Sequence, residues 1–343
     1  MRKLKNKNII FFVLTVLITS CTGETHQKIE GDTEVGGKLI IYSGRSESLV
    51  SGIIDEFANI NGLEVEVRYA NSSTLASTLI LEGAISPADV FFSQDPVSLG
   101  VVANEGLLEI LPVDILNNIP EWAVGKEGFW VGTSGRSRSL VIDTRDVTEA
   151  EIPSTIYGLA DQKFEGRLGL APTNSSFIVM ITCMIELDGE EKVSEWLTNI
   201  NALDYTEYPK NSSQVAAADA GELDIGMINH YYTLRLLAEK GDSPVKNIFL
   251  DSGCGAMVMP AGVGVLASTQ NKPAALAFIQ FLHSKAVQEK FTNTFYEFPL
   301  VDGVLPHPNL PAISSLNSPL NLNWSALSLL QELAVELIAQ AGY

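Results

Sequence analysis

Lys38-Leu39-Ile40-Ile41-Tyr42 is an apolar run that closes on the polar turn Ser43-Gly44-Arg45-Ser46, after which apolar residues recur at Leu49, Val50, Ile53, Ile54 and Phe57. A short apolar run bounded by a turn reads as a buried strand, and the i, i+1, i+4, i+5, i+8 spacing that follows puts its residues on one face of a helix. Leu63-Glu-Val-Glu-Val-Arg-Tyr69 then alternates apolar and charged side chains, as a half-exposed strand does. Leu75, Leu79 and Ile80 make a second helical stripe, and Asp89-Val-Phe-Phe92 is a further buried strand. The order is βαβαβ. Strands alternating with helices predict an α/β fold with a mostly parallel sheet, helices on both faces, and a ligand crevice beyond the carboxyl ends of the strands.

The alternation returns from about residue 168 to 227, with a helix expected over 192–200 through Val193, Trp196, Leu197 and Ile200, and a strand over 223–228. Residues 262–266 read as a strand, 273–282 as a helix, and 324–341 as one closing helix rich in Leu and Ala. At 343 residues a single core has stopped growing, so two α/β lobes with a cleft between them are expected.

Hydrophobic residues make up 46% and charged ones 18%, the balance of a globular chain. Asp and Glu number 41 against 22 Lys and Arg, a net charge of −19, which argues against nucleic acid as a partner. Arg2, Lys3, Lys5 and Lys7 form a basic head before an apolar run at 9–19, too short to span a bilayer as a stable helix. That run ends in Ile18-Thr19-Ser20-Cys21, which resembles a bacterial lipobox. The expectations are a signal peptide at 1–20, lipidation of Cys21 that anchors the chain to a membrane, a flexible tether at 21–37, and an extracytoplasmic location in the periplasm or at the cell surface. Cys183 and Cys254 lie in a compartment that permits disulfides. A bridge and two buried free thiols both remain open, and neither cysteine has the spacing of a metal knuckle.

Five polar segments fall where the cleft is expected: Ser43 to Ser46, Ser93 to Asp95, Thr133 to Arg138, Pro172 to Ser176, and Asn229 to Tyr232. Small hydroxyl residues with Gly and Arg at a helix start suit an anion, because free amides and the helix dipole point at it while Arg supplies a bidentate fork. Ser46 to Phe57 fits that description, although a Ser-Gly segment is also an ordinary N-cap and turn. Asn229-His230-Tyr231-Tyr232 puts two adjacent phenols at a strand-to-helix corner, where they serve either as metal ligands or as wall aromatics. His230 is expected to be a hydrogen-bonded wall residue rather than a ligand. The chain has no G-x-S-x-G elbow and no H-E-x-x-H, so an enzyme is not expected.

Leu39 to Val50, Ser86 to Asp95, Val131 to Arg138, Asn211-Ser-Ser213, Asn229 to Tyr232 and Tyr296-Glu-Phe-Pro-Leu-Val301 together resemble the ferric-ion-binding proteins of bacterial ABC importers, over about Leu39 to Val304. The resemblance implies a two-lobed periplasmic-binding-protein fold of type II with a hinge and a central cleft. One lobe would comprise 38–136 and 262–305, the other 137–261 and 306–343. It implies a monomer that carries Fe(III) with a synergistic anion such as carbonate and delivers it to an ABC permease. Tyr231 and Tyr232 match the metal ligands. Arg45, Ser46, Arg136, Asn174, Ser175, Ser176, Asn211 and Asn229 match or neighbour the anion-binding positions.

The chain departs from that pattern where some members have His and it has Ser46, where some have Glu and it has Gln94, and where others add a Tyr and it has Phe177. Oxygens of the anion or of water are then expected to complete the coordination. Two phenols with pKa near 10 cost about 8 kcal/mol together to ionise at pH 7, which a hard trivalent ion offsets and Mg(II) or Ca(II) does not. The alternative within the same architecture is a carrier of an oxyanion or another small organic solute.

Overall fold

The structure, a computed structural model, describes residues 37–343. The signal peptide, Cys21 and the tether before residue 37 lie outside the described residues.

From Lys38 onward, β1 (Lys38–Ser43), α1 (Glu47–Asn61), β2 (Glu64–Tyr69), α2 (Ser72–Glu82), β3 (Val90–Ser93) and α3 (Pro96–Asn104) follow the expected order. Leu49, Val50, Ile53, Ile54 and Phe57 all lie on the buried face of α1. A short α4 (Val113–Leu116) precedes β4 (Val131–Asp143), a strand buried along its whole length. Next come β5 (Leu168–Leu170), α5 (Ser175–Asp188), α6 (Glu190–Asn201), β6 (Thr206–Glu207), α7 (Asn211–Ala220), β7 (Ile225–Asn229), α8 (Tyr231–Lys240) and β8 (Val245–Ile248). They are followed by β9 (Val258–Val265), α9 (Lys272–Leu282), α10 (Lys285–Asn293), α11 (Trp324–Leu329) and α12 (Gln331–Gln340).

The strands run β2-β1-β3-β9-β4-β7-β5-β6, with β8 also paired to β4. β4 serves both lobes: its first half, to Ser137, pairs with β9, and its second half, from Arg138, pairs with β7 on one edge and β8 on the other. The sheet is parallel only within each lobe, where β1 joins β2 and β3, and β5 joins β6 and β7. β4 and β9 are antiparallel to their neighbours, since one carries the chain out of the first lobe and the other brings it back. This departs from the mostly parallel expectation.

Two further differences have local causes. Thr133 to Arg138 is strand interior rather than loop; its polar side chains are tolerated there because other buried groups bond them. The closing helix is broken at Leu330 (φ −93°, ψ −2°), because α11 packs against α3 and α5 while α12 follows α5 and α6. Cys183 on α5 and Cys254 form a disulfide. Phe57, Phe92 and Phe278 centre one apolar cluster, while α5, α6 and α12 contribute to a second. Among the described residues no helix is long and apolar enough to cross a membrane.

Candidate functional site

Alternate residues of a strand share a face, and β4 uses this to place Ser134, Arg136 and Arg138, all buried, where its pairing passes from β9 to β7. Arg45 reaches the same place from the turn after β1. There Gly44 is required by close approach: a Cβ on it would collide with Ser72. Ser72 in turn accepts a hydrogen bond from the backbone N–H of Gln94, at 2.9 Å.

Gln94 ties the site together. Its Oε1 accepts from Arg45 Nη1 at 3.4 Å, its backbone carbonyl accepts from Arg136 Nη2, and its Nε2 donates to the Tyr231 hydroxyl at 3.3 Å. Glu297 accepts from Arg45 Nη2 with both oxygens, at 2.8 and 2.9 Å, and from the Ser134 hydroxyl. Both members of the Arg45–Glu297 pair are fully buried, so the charge of Arg45 is already balanced. Among the described residues Arg136 has no such carboxylate within ion-pair distance. Its Nε and Nη1, together with Nε of Arg45 and of Arg138, are buried without a hydrogen-bond partner. Desolvation, then repulsion from Arg136, brings the Arg138 guanidinium down to about 9, while Tyr231 and Tyr232 act in the opposite direction. Buried polar groups rarely go unbonded, and these nitrogens have the chemistry to donate to an anion.

The corner between β7 and α8 supplies the other wall. Asn229, the last residue of β7, accepts from Arg138 Nη1 at 3.0 Å and donates through Nδ2 to the Ser176 hydroxyl at 3.0 Å. Ser176 lies in the first turn of α5, whose N-cap Asn174 accepts from the Ser176 N–H at 3.1 Å. The side chain of Ser175 makes no hydrogen bond among the described residues. Asn211, the first residue of α7, is buried with its Nδ2 unbonded. Ser46 is exposed at the start of α1 and lines a cavity with Tyr232.

Tyr231 is fully buried and Tyr232 partly so, with ring centroids 4.3 Å apart. Burial, reinforced by Tyr231, pushes the Tyr232 phenol well above its ordinary range, and Arg136 and Arg45 pull it the other way. His230 is already helical rather than extended. Its Nδ1 accepts from the Ser137 N–H at 3.0 Å and its Nε2 donates to the Tyr296 carbonyl at 2.7 Å. Burial holds its pKa down to about 4, so the ring is neutral with both nitrogens engaged. Phe177 is core, its ring 6.5 Å from that of Tyr343. Among the described residues no group of three or more His, Cys, Asp and Glu could hold a metal.

The sequence expectations put Gln94 and Arg138 in segments at the cleft but give no binding role to either or to Glu297. Arg138 carried a signal, its i+2 spacing from Arg136 on one strand. Glu297 stands 252 residues from Arg45, and no local pattern announces that pairing.

Residues 86–328 match the profile of the family described as bacterial extracellular solute-binding protein. The chain belongs to that family. It is 33% identical over 313 residues to the major ferric iron-binding protein of Neisseria meningitidis serogroup B, covering 89% of this chain and 92% of that protein. It is 31% identical over 309 residues to the Fe(3+)-binding periplasmic protein of Serratia marcescens, covering 89% and 90%. The crystal structure of iron-bound HitA from Pseudomonas aeruginosa aligns with a TM-score of 0.85 at 29% identity, over 89% of this chain and 99% of that one. The fold shared with these two-lobed type II proteins accounts for the double use of β4 as strand and connection.

Proposed function

We propose that this chain is an extracytoplasmic binding protein for iron uptake, which closes its lobes over Fe(III) and hands it to an ABC permease. Tyr231 and Tyr232 bind the metal as phenolates. Carbonate or a similar anion fills further coordination positions, held by Arg136 and Arg138 with Asn174, Ser175, Ser176, Asn211 and Asn229 around it. Arg45 and Ser46 border this site, Arg45 offering Nε rather than net charge. A lipid at Cys21, action as a monomer, and lobes of 38–136 with 262–305 and 137–261 with 306–343 complete the proposal. The naming of relatives for ferric binding supports it, and so does their naming as binding proteins rather than enzymes.

The observation that carries this reading is the adjacent phenol pair, its rings tilted at 33°, beside buried guanidinium nitrogens that have no partner among the described residues. Two phenolates leave one positive charge on a ferric ion, and Arg136 and Arg138 add two more, so a divalent anion lowers the charge of a site closed off from water. Hard oxygen donors suit a hard trivalent ion. Hinge closure is the usual way such two-lobed carriers enclose a ligand.

The test is optical. Mature protein given ferric ion and bicarbonate is expected to develop a visible tyrosinate-to-iron charge-transfer band that Tyr231→Phe or Tyr232→Phe weakens or abolishes. Protons compete for phenolates, so the band fades as the pH falls. A colourless protein that leaves ferric ion on its chelator sinks the assignment, and tight binding of an oxyanion by that same colourless protein selects the alternative carrier.

A further inference from the structure

Leu81 and Ile85 are the most exposed large apolar side chains among the described residues, at 88% and 89%. They stand at the end of α2 and in the turn after it, where Ile80, Ala84 and Pro87 are exposed as well. Single exposed leucines are ordinary, whereas a cluster of exposed apolar residues marks a contact with protein or membrane. Charge is sparse in the same stretch. Between Arg68 and Asp89 the one charged residue is Glu82, in a chain whose net charge is −19. The Glu82 carboxylate is engaged by its neighbours, accepting from the Tyr42 hydroxyl at 3.0 Å, the Ser86 hydroxyl at 2.7 Å and Arg68 Nη1 at 3.4 Å.

The place of this patch in the fold says what meets it. β1 and β3 are parallel, so the chain enters both from one edge of the sheet. Gly37, before β1, lines a cavity of about 450 Å³ together with Ser86 and Pro87, before β3. The chain leading from Cys21 therefore joins the fold beside the patch. The site lies at the opposite edge, where Arg45 follows β1 and Gln94 follows β3. Ser72, which bonds Gln94, opens α2 about 14 Å of helix away from Leu81.

We infer that residues 80–87 rest on the bilayer that holds the anchor, with Leu81 and Ile85 in its headgroup layer. The inference rests on the proposed lipid at Cys21. Cys21 precedes Gly37 by sixteen residues, so the lipid lies within about 55 Å of Gly37, and the link keeps the patch at high effective concentration beside the membrane. Anionic lipid repels a chain of this charge, least where the chain presents none. Two apolar side chains hold a bilayer only marginally, which makes the contact reversible. A permease that receives the metal meets the cleft, and the patch is at the far edge from it. A second copy of the chain would need about 800 Å² from each partner, more than three large apolar side chains supply. Lipid at rest and permease at delivery are then met by different faces of the protein.

For the test, the mature chain is coupled through the Cys21 thiol, the other two cysteines being joined, to maleimide lipid in vesicles. These contain phosphatidylethanolamine and phosphatidylglycerol with brominated acyl chains. Two fluorescent variants are compared, Leu81→Trp and Leu305→Trp, since Leu305 is 82% exposed but lies outside residues 80–87. Bromine is expected to quench Leu81→Trp beyond the background of the four native tryptophans, and to leave Leu305→Trp at that background. Adding Ile85→Ser to Leu81→Trp is expected to weaken the quenching, and an unchanged unfolding midpoint checks that each variant is folded. Equal quenching of the two probes, or none at Leu81→Trp, overturns the inference. So does a detached wild-type chain that sediments as a dimer while Leu81→Ser/Ile85→Ser sediments as a monomer, because the patch then covers itself. The mass of the mature chain isolated from cells reads the anchor separately. Without acyl groups the lipid at Cys21 fails, while quenching at Leu81→Trp leaves the lipid-facing patch standing.

Discussion

Glu297 confines a buried guanidinium, and its removal is expected to cost more than one hydrogen bond. With the carboxylate neutralised, Arg45 keeps its charge away from water without compensation, a penalty of about 3–5 kcal/mol. Glu297→Gln is expected to lower the unfolding free energy by that amount in a denaturant titration. Adding Arg45→Met, which removes the charge as well, is expected to restore most of it. A Glu297→Gln protein as stable as wild type would mean that the pair does not fix the loop after β1. Gly44 acts on the same corner through space rather than charge. Alanine there drives a methyl group into Ser72, which bonds the backbone of Gln94, at about 1–3 kcal/mol for overpacking. Gly44→Ala is expected to lose both stability and ferric affinity. Gly52→Ala is the control, because a Cβ on Gly52 in α1 meets nothing within 4 Å and alanine is favoured inside a helix by about 0.5–1 kcal/mol. Equal effects from the two substitutions would refute the steric account.

At the scale of elements, the disulfide joins α5, with Asn174 at its N-cap and Ser176 in its first turn, to the segment that feeds β9. Cross-linking across a separation of 71 residues removes unfolded-state entropy worth about 4 kcal/mol in the chain-entropy account. Cys183→Ala/Cys254→Ala is expected to lose about that much in denaturant unfolding, and added reductant should then have no further effect on the variant. A double variant within 1 kcal/mol, about the uncertainty of such extrapolations, would show that native packing rather than the link holds α5. The elements themselves were legible where one periodicity dominated: β1, α1 and β2 follow their apolar spacing closely. β4 was not, because Gly132 to Arg138 has the composition of a loop and becomes strand only through partners on β9, on β7 and in Glu297. The break at Leu330 was hidden for a related reason, since uninterrupted helical residues on either side give no local cause for it.

For the whole molecule, legibility depended on how far apart the partners lie. Tyr231 and Tyr232 could be singled out because both sit at one strand-to-helix corner, whereas the contacts that place Arg45, Gln94 and Glu297 beside them join the two ends of the chain. Long-range contacts of the same kind give the fold a pH dependence. His283, at the end of α9, is partly buried with Nε2 donating to the Gly132 carbonyl of β4 at 2.8 Å. Burial holds its pKa down to about 4, against a partial upward pull from that carbonyl, while in the unfolded chain it titrates near 6.5. Above about pH 6.5 neither state binds the proton and this residue adds no slope. Between 6.5 and 4 the unfolded chain takes up a proton that the folded one refuses, so stability falls as the pH falls, by about 3 kcal/mol once both states are protonated. His283→Gln keeps a donor for Gly132 but cannot titrate. Its unfolding free energy, measured from pH 7 to 4.5, is expected to fall less steeply than that of wild type by up to one proton, with the two curves parallel above 6.5. Curves parallel throughout would mean that His283 is protonated in the folded protein and that α9 does not meet β4 through a neutral ring.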